Sequence, residues 1–420
     1  VPFLPRAALS ATIYRMNVVV FVIDRLHAGF LGAYGNTWIE TPAFDRWAAD
    51  SCVFSHYLID TPDLGRLYRS YWSGLHAMCS RPGADAGRPI LPALLRNGGL
   101  TAALVTDDAT LAQANMANEF DECVLVEPCW QPELAADVSQ SQMARGTMAA
   151  LEWLERAKGP FLLWCHLASL GRTWDAPALL REMYRQEGDP PAFPEADPPE
   201  RRLNAEADPD EAWAAAITYA AQVTVLDQCL GAFDEFFRGS RLAADTALVL
   251  TAARGFPLGE HGCIGPCDQS LYGELVQAPL MIRLPDGSGA LQRRFDLVEP
   301  CDVWATVLSL AGIEGRPDSP TAIDLTPIIR GEGSATRDRL CVVGAGQQAI
   351  RTPAWFFRQA AGCELYVKPD DFWEANNVAV RCPEIVECLG DALVEFDQAV
   401  QHGRATDLPP LPRALVEGLD

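Results

Sequence analysis

Runs of apolar residues, separated by polar and turn-forming segments, fill most of the chain. In the first run, residues 17–24 read NVVVFVID, and an unbroken series of β-branched or aromatic residues precedes Asp24. A run without polar alternation is typical of a strand buried on both faces, as in a parallel sheet covered by helices. Further strand-like runs are CVFSHYLI, LTAALVTDD, CVLV, PFLLWCHLA, TALVLTAA and APLMIRLP. The pattern predicts a central sheet whose first strand ends in an acid.

Segments with helical periodicity lie between these runs. They read ILPALLRN, SQMARGTMAALEWLERA, YAAQVTVLDQCLGAFDEFF (219–237) and CDVWATVLSLAGI. Strands that alternate with helices predict an α/β fold with a largely parallel central sheet flanked by helices. Residues 186–210 are rich in proline and acid, and we expect them to form a surface excursion outside the core.

The pattern changes after residue 334. Four short strand-like runs, LCVVGA, QQAIRT, AWFFRQ and CELYVK, follow one another closely, and the helix-like segment PEIVECLGDALVEFDQAV comes later. Short strands separated by turns predict an antiparallel sheet. We therefore divide the chain into an α/β domain, 1–334, and a small C-terminal α+β subdomain, 335–420.

The charge of the chain limits its partners. The formal net charge is −23 at pH 7, because 56 acidic residues outnumber 33 basic ones. Nucleic acids and anionic membranes are polyanions, so this excess of acid argues against both as partners. The chain also lacks any apolar run of the roughly 18 residues that a membrane helix requires.

Two further features predict a cytoplasmic protein. In the N-terminal sequence VPFLPRAALSATIYRM, Pro5 and Arg6 interrupt the apolar stretch that a signal peptide would need. We also consider Met16 as a natural start of translation. The 13 cysteines are odd in number and lack the spacing of metal ligands, which is typical of free thiols in a reducing compartment.

Several segments, taken in order, carry a resemblance to a known family. They are NVVVFVID, LGAYGN, TPAFDRWAADSCVFSHY, PFLLWCHL with His166, YAAQVTVLDQCLGAF with Asp227, LGEHG, SLYGELVQAPLMIRLP and ELYVKPDDFWEANNVA. Together they resemble the sulfatases of the alkaline phosphatase superfamily, over almost the whole chain. The resemblance implies the fold of that superfamily and an ancestry among sulfuric ester hydrolases, although a fold alone does not establish an activity.

The resemblance also implies where a nucleophile should stand. Sulfatases carry it in the motif C/S-x-P-x-R, and the matching segment here is TPDLGRLYRSYWSG. In this alignment, Leu64 stands at the nucleophile, Arg66 at the proline and Tyr68 at the arginine. Leucine has no lone pair with which to attack an ester. Because no Cys or Ser stands four residues before any arginine of the segment, we expect no catalytic nucleophile here.

The cation site that the resemblance implies is altered as well. The family's Asp-Asp pair reads Asp24-Arg25 here, and its second acidic pair reads Ala-Arg at 253–254. Calcium prefers about six to eight oxygen ligands, so one remaining carboxylate is too few, and we expect no calcium or other metal cofactor. The family's supporting His and Lys fall near Gly171 and Pro266, so the groups that would contact the substrate are also missing.

The surviving charged residues predict a different use of this relic cleft. We hypothesise that Arg254 or Arg25 pairs with Asp24, so that a guanidinium replaces the cation. The residues of the predicted cleft, which could bind a small anion or a protein partner without turning it over, are Asp24, Arg25, Arg66, His166 and Arg254. The sequence therefore predicts a sulfatase-like protein without catalytic activity, a pseudoenzyme.

Two alternatives remain open. The chain could be a sulfuric or phosphoric ester hydrolase that uses another constellation in the same cleft, drawn from His56, Asp60 and Asp63. The alignment could also be shifted at residues 61–70 and 251–255, although the segments on both sides match. A hydroxyl or an acid within hydrogen-bond distance of a histidine, next to an anion donor, would favour the hydrolase.

Overall fold

The computed structural model of the protein describes residues 15–81, 83–127, 133–204, 206–335 and 337–419. The segment 1–14, where the sequence predicts no signal peptide, lies outside the described residues, and so does Cys129. Among the helices of the described ranges, none is both long enough and apolar enough to cross a membrane.

A large sheet forms the centre of the molecule. The strands are, in chain order, β1 (Asn17–Asp24), β2 (Cys52–Tyr57), β3 (Thr101–Thr106), β4 (Glu122–Leu125), β5 (Phe161–Leu167), β6 (Arg201–Arg202), β7 (Thr246–Arg254), β8 (Cys263–Ile264), β9 (Leu280–Arg283), β10 (Gln292–Val298), β11 (Leu340–Gly344), β12 (Gln347–Arg351), β13 (Trp355–Gln359) and β14 (Cys363–Val367). The central sheet has the order β10-β2-β9-β7-β1-β5-β3-β4. Strand β1 pairs in parallel with β5 and β7, whereas β9 is antiparallel to both of its neighbours. The prediction of a largely parallel sheet is confirmed.

Two groups of helices flank this sheet. The helices are α1 (Pro42–Ala49), α2 (Leu64–Ser73), α3 (Leu91–Asn97), α4 (Ala109–Ala112), α5 (Gln142–Arg156), α6 (Ser169–Arg172), α7 (Ala178–Met183), α8 (Pro209–Gly239), α9 (Gly273–Val276), α10 (Pro300–Leu310), α11 (Thr326–Ile329), α12 (Pro383–Gln401) and α13 (Arg413–Val416). One group consists of α1, α5 and α7 around α8, and the other of α2 and α3 around α10. The valines of β1 are fully buried between the two groups, as the unbroken apolar run requires.

The structure corrects the sequence analysis in two places. Strand β10 was not predicted, because an edge strand buries little and keeps a polar pattern; its Phe295 is 64% exposed. Helix α8 begins at Pro209, well before the predicted 219, so the segment 186–210 is not a surface excursion throughout. Proline suits the first turn of a helix, and the side chain of Asp208 caps this one by accepting from the N–H of Asp210. Within the same segment, β6 pairs with β8.

The C-terminal residues form a second, smaller sheet. Strands β11 to β14 pair successively in antiparallel fashion, as predicted, and α12 packs on them. The hydrophobic core of this unit also contains Met78 and Cys79, which follow α2. Residues near 78 therefore pack in the core of the C-terminal unit. The domain boundary at 334/335 stays a prediction.

Candidate functional site

The carboxyl ends of four adjacent strands bring the candidate residues together. In the order β7-β1-β5-β3, these strands end in Arg254, Asp24, Leu167 and Thr106. Ligands of α/β proteins usually bind at this edge of the sheet. A register shift after Ile23 places Asp24 opposite Arg254 rather than opposite Ala253. The irregularity therefore aims the guanidinium of Arg254 at the end of β1.

Arg254 and Asp24 form a two-pronged ion pair. Nε of Arg254 donates to Oδ1 of Asp24 at 2.9 Å, and Nη2 donates to Oδ2 at 2.6 Å. Asp24 is only 3% exposed. Burial alone would raise the pKa of Asp24, but Arg254 outweighs burial and holds that pKa well below its usual range. The ion pair that the sequence analysis expected is present, and it engages both oxygens of the carboxylate.

Asp268 extends the pair into a cluster of four charges. Its Oδ2 accepts from Nη1 of Arg254 at 2.9 Å, and its Oδ1 lies 2.6 Å from Nη2 of Arg25. We call the residues Asp24, Arg25, Arg254 and Asp268 the cleft cluster. Two guanidiniums and two carboxylates balance each other, so the cluster has no net charge. Sequence reasoning missed Asp268, although it lies close to Pro266, the position aligned with the family's lysine.

The side chain of Arg25 fits because residue 171 has no side chain. A Cβ atom at Gly171 would lie 2.6 Å from Cγ of Arg25, which is closer than two carbon atoms can approach. The family's histidine falls near Gly171 in the alignment. Arg25 also has a positive φ of 68°, and its carbonyl accepts from the hydroxyl of Tyr219 at 2.6 Å. Arginine at 25 and glycine at 171 are therefore mutually compatible changes.

Tyr68 and His166 form a buried pair beside the cleft cluster. The Tyr68 hydroxyl lies 2.5 Å from Nδ1 of His166, and both side chains are fully buried. Nε2 of His166 lies 3.9 Å from Asp108, which pairs with Arg172 at 2.9 Å. Burial lowers the pKa of His166 to about 4, although Asp24 and Asp108 oppose this shift. His166 is therefore neutral at pH 7, and its Nδ1 shares a hydrogen bond with the Tyr68 hydroxyl. Sequence reasoning did not select Asp108 or Arg172.

The structure places Leu64 and Arg66 on the first turn of α2. Leu64 is the first residue of the helix, and the side chain of Asp63 caps it by accepting from the N–H of Arg66 at 2.9 Å. The guanidinium of Arg66 donates to the carbonyl of Ala77. In the described residues, Arg66 forms no ion pair with Asp24 or with Asp268. Its predicted role in binding an anion in the cleft stays a prediction.

The alternative constellation of His56, Asp60 and Asp63 is not assembled. Nδ1 of His56 lies 3.0 Å from the carbonyl of Phe295, at the edge of the sheet. Asp60 accepts from the Ser70 hydroxyl and from a backbone N–H, while Asp63 serves as the cap of α2. Each of the three groups has a separate structural role, and no hydrogen bond of the described residues joins one of them to another.

The calcium site of the family does not fit the residues at this position. Both oxygens of Asp24 bind Arg254, and Leu64 and Ala253 offer no ligand atoms. The described residues contain one other group with metal-ligand spacing, formed by His261, Glu274 and Glu374. Its charges are already paired, because His261 lies 2.8 Å from Glu274 and Lys368 lies 3.0 Å from Glu374. Neither set of residues presents free carboxylates to a divalent cation.

Comparison with known proteins identifies the family. The sequence model described as Sulfatase matches residues 16–313. The chain belongs to the sulfatase family. Among curated relatives, an N-acetylglucosamine-6-O-sulfatase of Bacteroides thetaiotaomicron is 30% identical over 120 residues, which cover 29% of this chain and 21% of that protein. The matched part thus spans about a fifth of the relative's length.

Solved structures share the fold of this sulfatase-family chain. A phosphonate monoester hydrolase of Agrobacterium radiobacter has a TM-score of 0.71 at 16% identity, covering 94% of this chain and 96% of its own. A protein solved in complex with its substrate D-glucosamine-2-N,6-O-disulfate reaches 0.74 at 17% identity, with 94% and 100% covered. A phosphonate monoester hydrolase of Silicibacter pomeroyi reaches 0.72 at 16% identity, with 95% and 98% covered. At these identities the likeness confirms the predicted fold.

Proposed function

We propose that this sulfatase-family chain is a non-catalytic member, in which the guanidinium of Arg254 replaces the cation of the active site. The observation that carries the proposal is the double hydrogen bond from Arg254 to both oxygens of Asp24, at 2.9 and 2.6 Å. A fixed guanidinium supplies the positive charge that a buried carboxylate needs. It has no vacant coordination position, however, so it cannot bind and polarise an ester oxygen as a cation does.

The other requirements of ester hydrolysis are also missing. A sulfuric or phosphoric ester needs a nucleophile, and the side chain of Leu64 is a hydrocarbon. It also needs free positive charge for the transferred group. Here Asp24 and Asp268 neutralise Arg254 and Arg25. Because all three requirements fail together, restoring one of them would not restore turnover.

One observation favours the second candidate, a hydrolase with a different constellation. The Tyr68 hydroxyl lies 2.5 Å from His166, with Asp108 on the other side of the ring at 3.9 Å. This order of groups resembles a nucleophile, a base and an orienting acid. Tyr68 and His166 are both fully buried, and Tyr68 packs among aromatic rings, including Trp72 and Trp164. An ester cannot approach the hydroxyl without a rearrangement of this core, so we rank the hydrolase second.

The role that remains is binding. We place the protein in the cytoplasm, with a small anion or another protein as its partner and with no nucleic acid, on the support of the net charge of −23 and the thiol content. The neutral cleft cluster offers no excess positive charge to an anion. A small-anion site is therefore better sought outside the cleft.

The proposal is tested by metal analysis and by hydrolysis assays on the purified full chain. Aryl sulfate, aryl phosphate and phosphonate monoester substrates are tested with and without added Ca²⁺, Mg²⁺ and Mn²⁺. We expect no stoichiometric metal and no turnover above a buffer control, while an active sulfatase in the same assay verifies the reagents. Turnover that Asp24→Ala abolishes would overturn the proposal in favour of a metal-dependent enzyme. Turnover that Tyr68→Phe abolishes would establish the second candidate.

A further inference from the structure

A cavity lies where the end of α12 meets the residues that follow α2, and no residue of the cleft cluster lines it. Its volume is about 270 Å³, enough for several water molecules at roughly 30 Å³ each. Residues that follow α2, the segment 318–321 and the C-terminal end of α12 line it. The polar residues on its walls, which define what we call the junction cavity, are His76, Arg81, Arg88, Asp318, Thr321 and His402.

Arg88 lines the junction cavity, and only one of its guanidinium nitrogens donates a hydrogen bond to the described residues. Its Nε donates to the carbonyl of Ser73 at 2.7 Å, and its guanidinium lies over the ring of Trp304, 5.7 Å from the centroid. Neither Nη1 nor Nη2 has a hydrogen-bond partner in the described residues; Nη2 is buried, whereas Nη1 keeps accessible surface. Among the residues that the structure describes, no carboxylate forms an ion pair with Arg88. Buried N–H groups of this kind are rarely left without an acceptor.

Arg81 contributes a second positive charge to the same cavity. Its guanidinium lies against the backbone of Gly403, where an added Cβ would be 3.6 Å from Nη1. Gln401 holds this wall in place, because its side chain accepts from the N–H of Ser80 at 3.0 Å and donates to the carbonyl of Met78. The backbone next to Arg81 is therefore held by α12, while the side chain of Arg81 is itself exposed.

The charges around the junction cavity do not cancel. Arg81 and Arg88 face it together with the single carboxylate of Asp318. His76 is fully engaged and neutral, because it contacts the carbonyl of Cys341 and the N–H of Met78, and burial lowers its pKa. The carbonyl of Gly74, at the C-terminal end of α2, does not compensate for this positive charge, because it already accepts from the hydroxyl of Ser319. An excess of positive charge thus remains beside open space.

We propose that the junction cavity binds a small oxyanion, such as a phosphate, sulfate or carboxylate group, through Arg88 and Arg81. An oxyanion in the cavity would accept from Nη1 of Arg88, the nitrogen of this guanidinium that is neither buried nor hydrogen-bonded, and guanidinium groups suit the geometry of such anions. The volume leaves room for an organic substituent on the anion. The inference rests on residues outside the cleft and does not depend on whether the protein is catalytic.

The test uses the full chain, labelled with fluorotryptophan, and titration with inorganic phosphate at constant ionic strength. Trp304 lies under Arg88, so its fluorine NMR signal, assigned with Trp304→Phe, reports on this cavity. We expect a saturable shift with a dissociation constant of about 1 mM or tighter. Sulfate and acetate, titrated separately, distinguish tetrahedral from planar oxyanions. Chloride at the same ionic strength should produce no saturable shift.

Substitutions locate the effect. Arg88→Met should weaken binding by about tenfold or more, and Arg81→Met by a smaller factor, as expected for losing a charge-assisted contact. Arg88→Lys keeps the charge but loses the planar fork, so we expect intermediate binding; this variant also serves if Arg88→Met fails to fold. Arg185→Met, whose side chain is 38% exposed and pairs with the exposed Glu182, should bind as the unmodified chain does. The proposal is overturned if no oxyanion shifts the Trp304 signal, or if the shift persists unchanged in Arg88→Met and Arg81→Met.

Discussion

Arg254 and Arg88 are both largely withdrawn from water, but their surroundings differ. Arg254 donates to two carboxylates, and their attraction outweighs burial, so the pKa of Arg254 is raised. Arg88 has no carboxylate partner in the described residues, and burial lowers its pKa. Arg254 pairs with Asp24 at the carboxyl ends of the central strands, whereas Arg88 borders open volume. The two arginines therefore differ in what surrounds them. The guanidinium of Arg254 is neutralised by carboxylates, whereas that of Arg88 lines a cavity and remains available to a ligand.

Removing each guanidinium should change the free energy of unfolding by a different amount. Without Arg254, a buried carboxylate loses its countercharge, which is energetically expensive. Without Arg88, only packing against Trp304 and one hydrogen bond to a carbonyl are lost. Measurements of stability can therefore separate a charge that holds the fold from a charge that is available to a ligand.

The largest effect is expected for Arg254→Met. The substitution removes both hydrogen bonds to Asp24 and leaves that carboxylate buried. Removing one partner of a buried ion pair typically costs about 3–5 kcal/mol. The free energy of unfolding, measured by urea titration at pH 7, should fall by that amount.

The matched control combines two changes in the same pair. Asp24→Leu added to Arg254→Met removes the uncompensated charge, so the double variant should be more stable than Arg254→Met alone. An unfolding free energy that stays unchanged in Arg254→Met would mean that the ion pair does not hold the cleft together. The contrast between Arg254 and Arg88 would then fail.

The next effect is a dependence of stability on pH that comes from His166. Its pKa is lowered from 6.5 to about 4 in the folded chain, so the native state binds fewer protons than the unfolded state between these values. Stability should therefore be complete above pH 6.5 and fall as the pH decreases toward 4, by up to about 3 kcal/mol. Urea titrations at several pH values measure this slope.

His166→Gln provides the control for that slope. Glutamine can still accept from Tyr68 but does not titrate, so the dependence between pH 6.5 and 4 should flatten. Asp24 contributes in a lower window, because its pKa is depressed and its stabilisation is lost only below the unfolded value of 3.8. A slope that survives in His166→Gln would assign the effect to other groups.

The sequence was most informative where the chain is buried on both faces. The apolar runs identify β1, β5 and β7, and the motif alignment places Asp24, Arg254 and His166 at their ends. It could not find Asp268, because the loop between β8 and α9 carries it and no pattern marks its side chain. Nor could it find the junction cavity, since Arg81 and Arg88 line a cavity only when the end of α12 lies beside the residues that follow α2. Contacts between distant segments are invisible to periodicity and spacing.

A smaller effect is expected for Asp268→Asn. Asp268 bridges Arg25 and Arg254, but its side chain is 39% exposed, so water compensates for part of the lost charge. We expect a loss of about 1–2 kcal/mol in the free energy of unfolding. Asn keeps an acceptor oxygen for one arginine. A loss as large as that of Arg254→Met would show that the carboxylate of Asp268, rather than that of Asp24, anchors the cluster.

The smallest effect is expected for Arg88→Met in the absence of oxyanions. No buried carboxylate is left without a partner, and methionine retains apolar contact with Trp304, so the loss should remain below about 1 kcal/mol. Inorganic phosphate should then separate the two proteins. A ligand that binds only the folded state stabilises it by mass action, so phosphate should raise the midpoint of thermal unfolding of the unmodified chain and not that of Arg88→Met. Sodium chloride at matched ionic strength controls for screening. If both proteins respond equally to phosphate, Arg88 is a structural arginine like Arg254, and the distinction between a neutralised and an available guanidinium disappears.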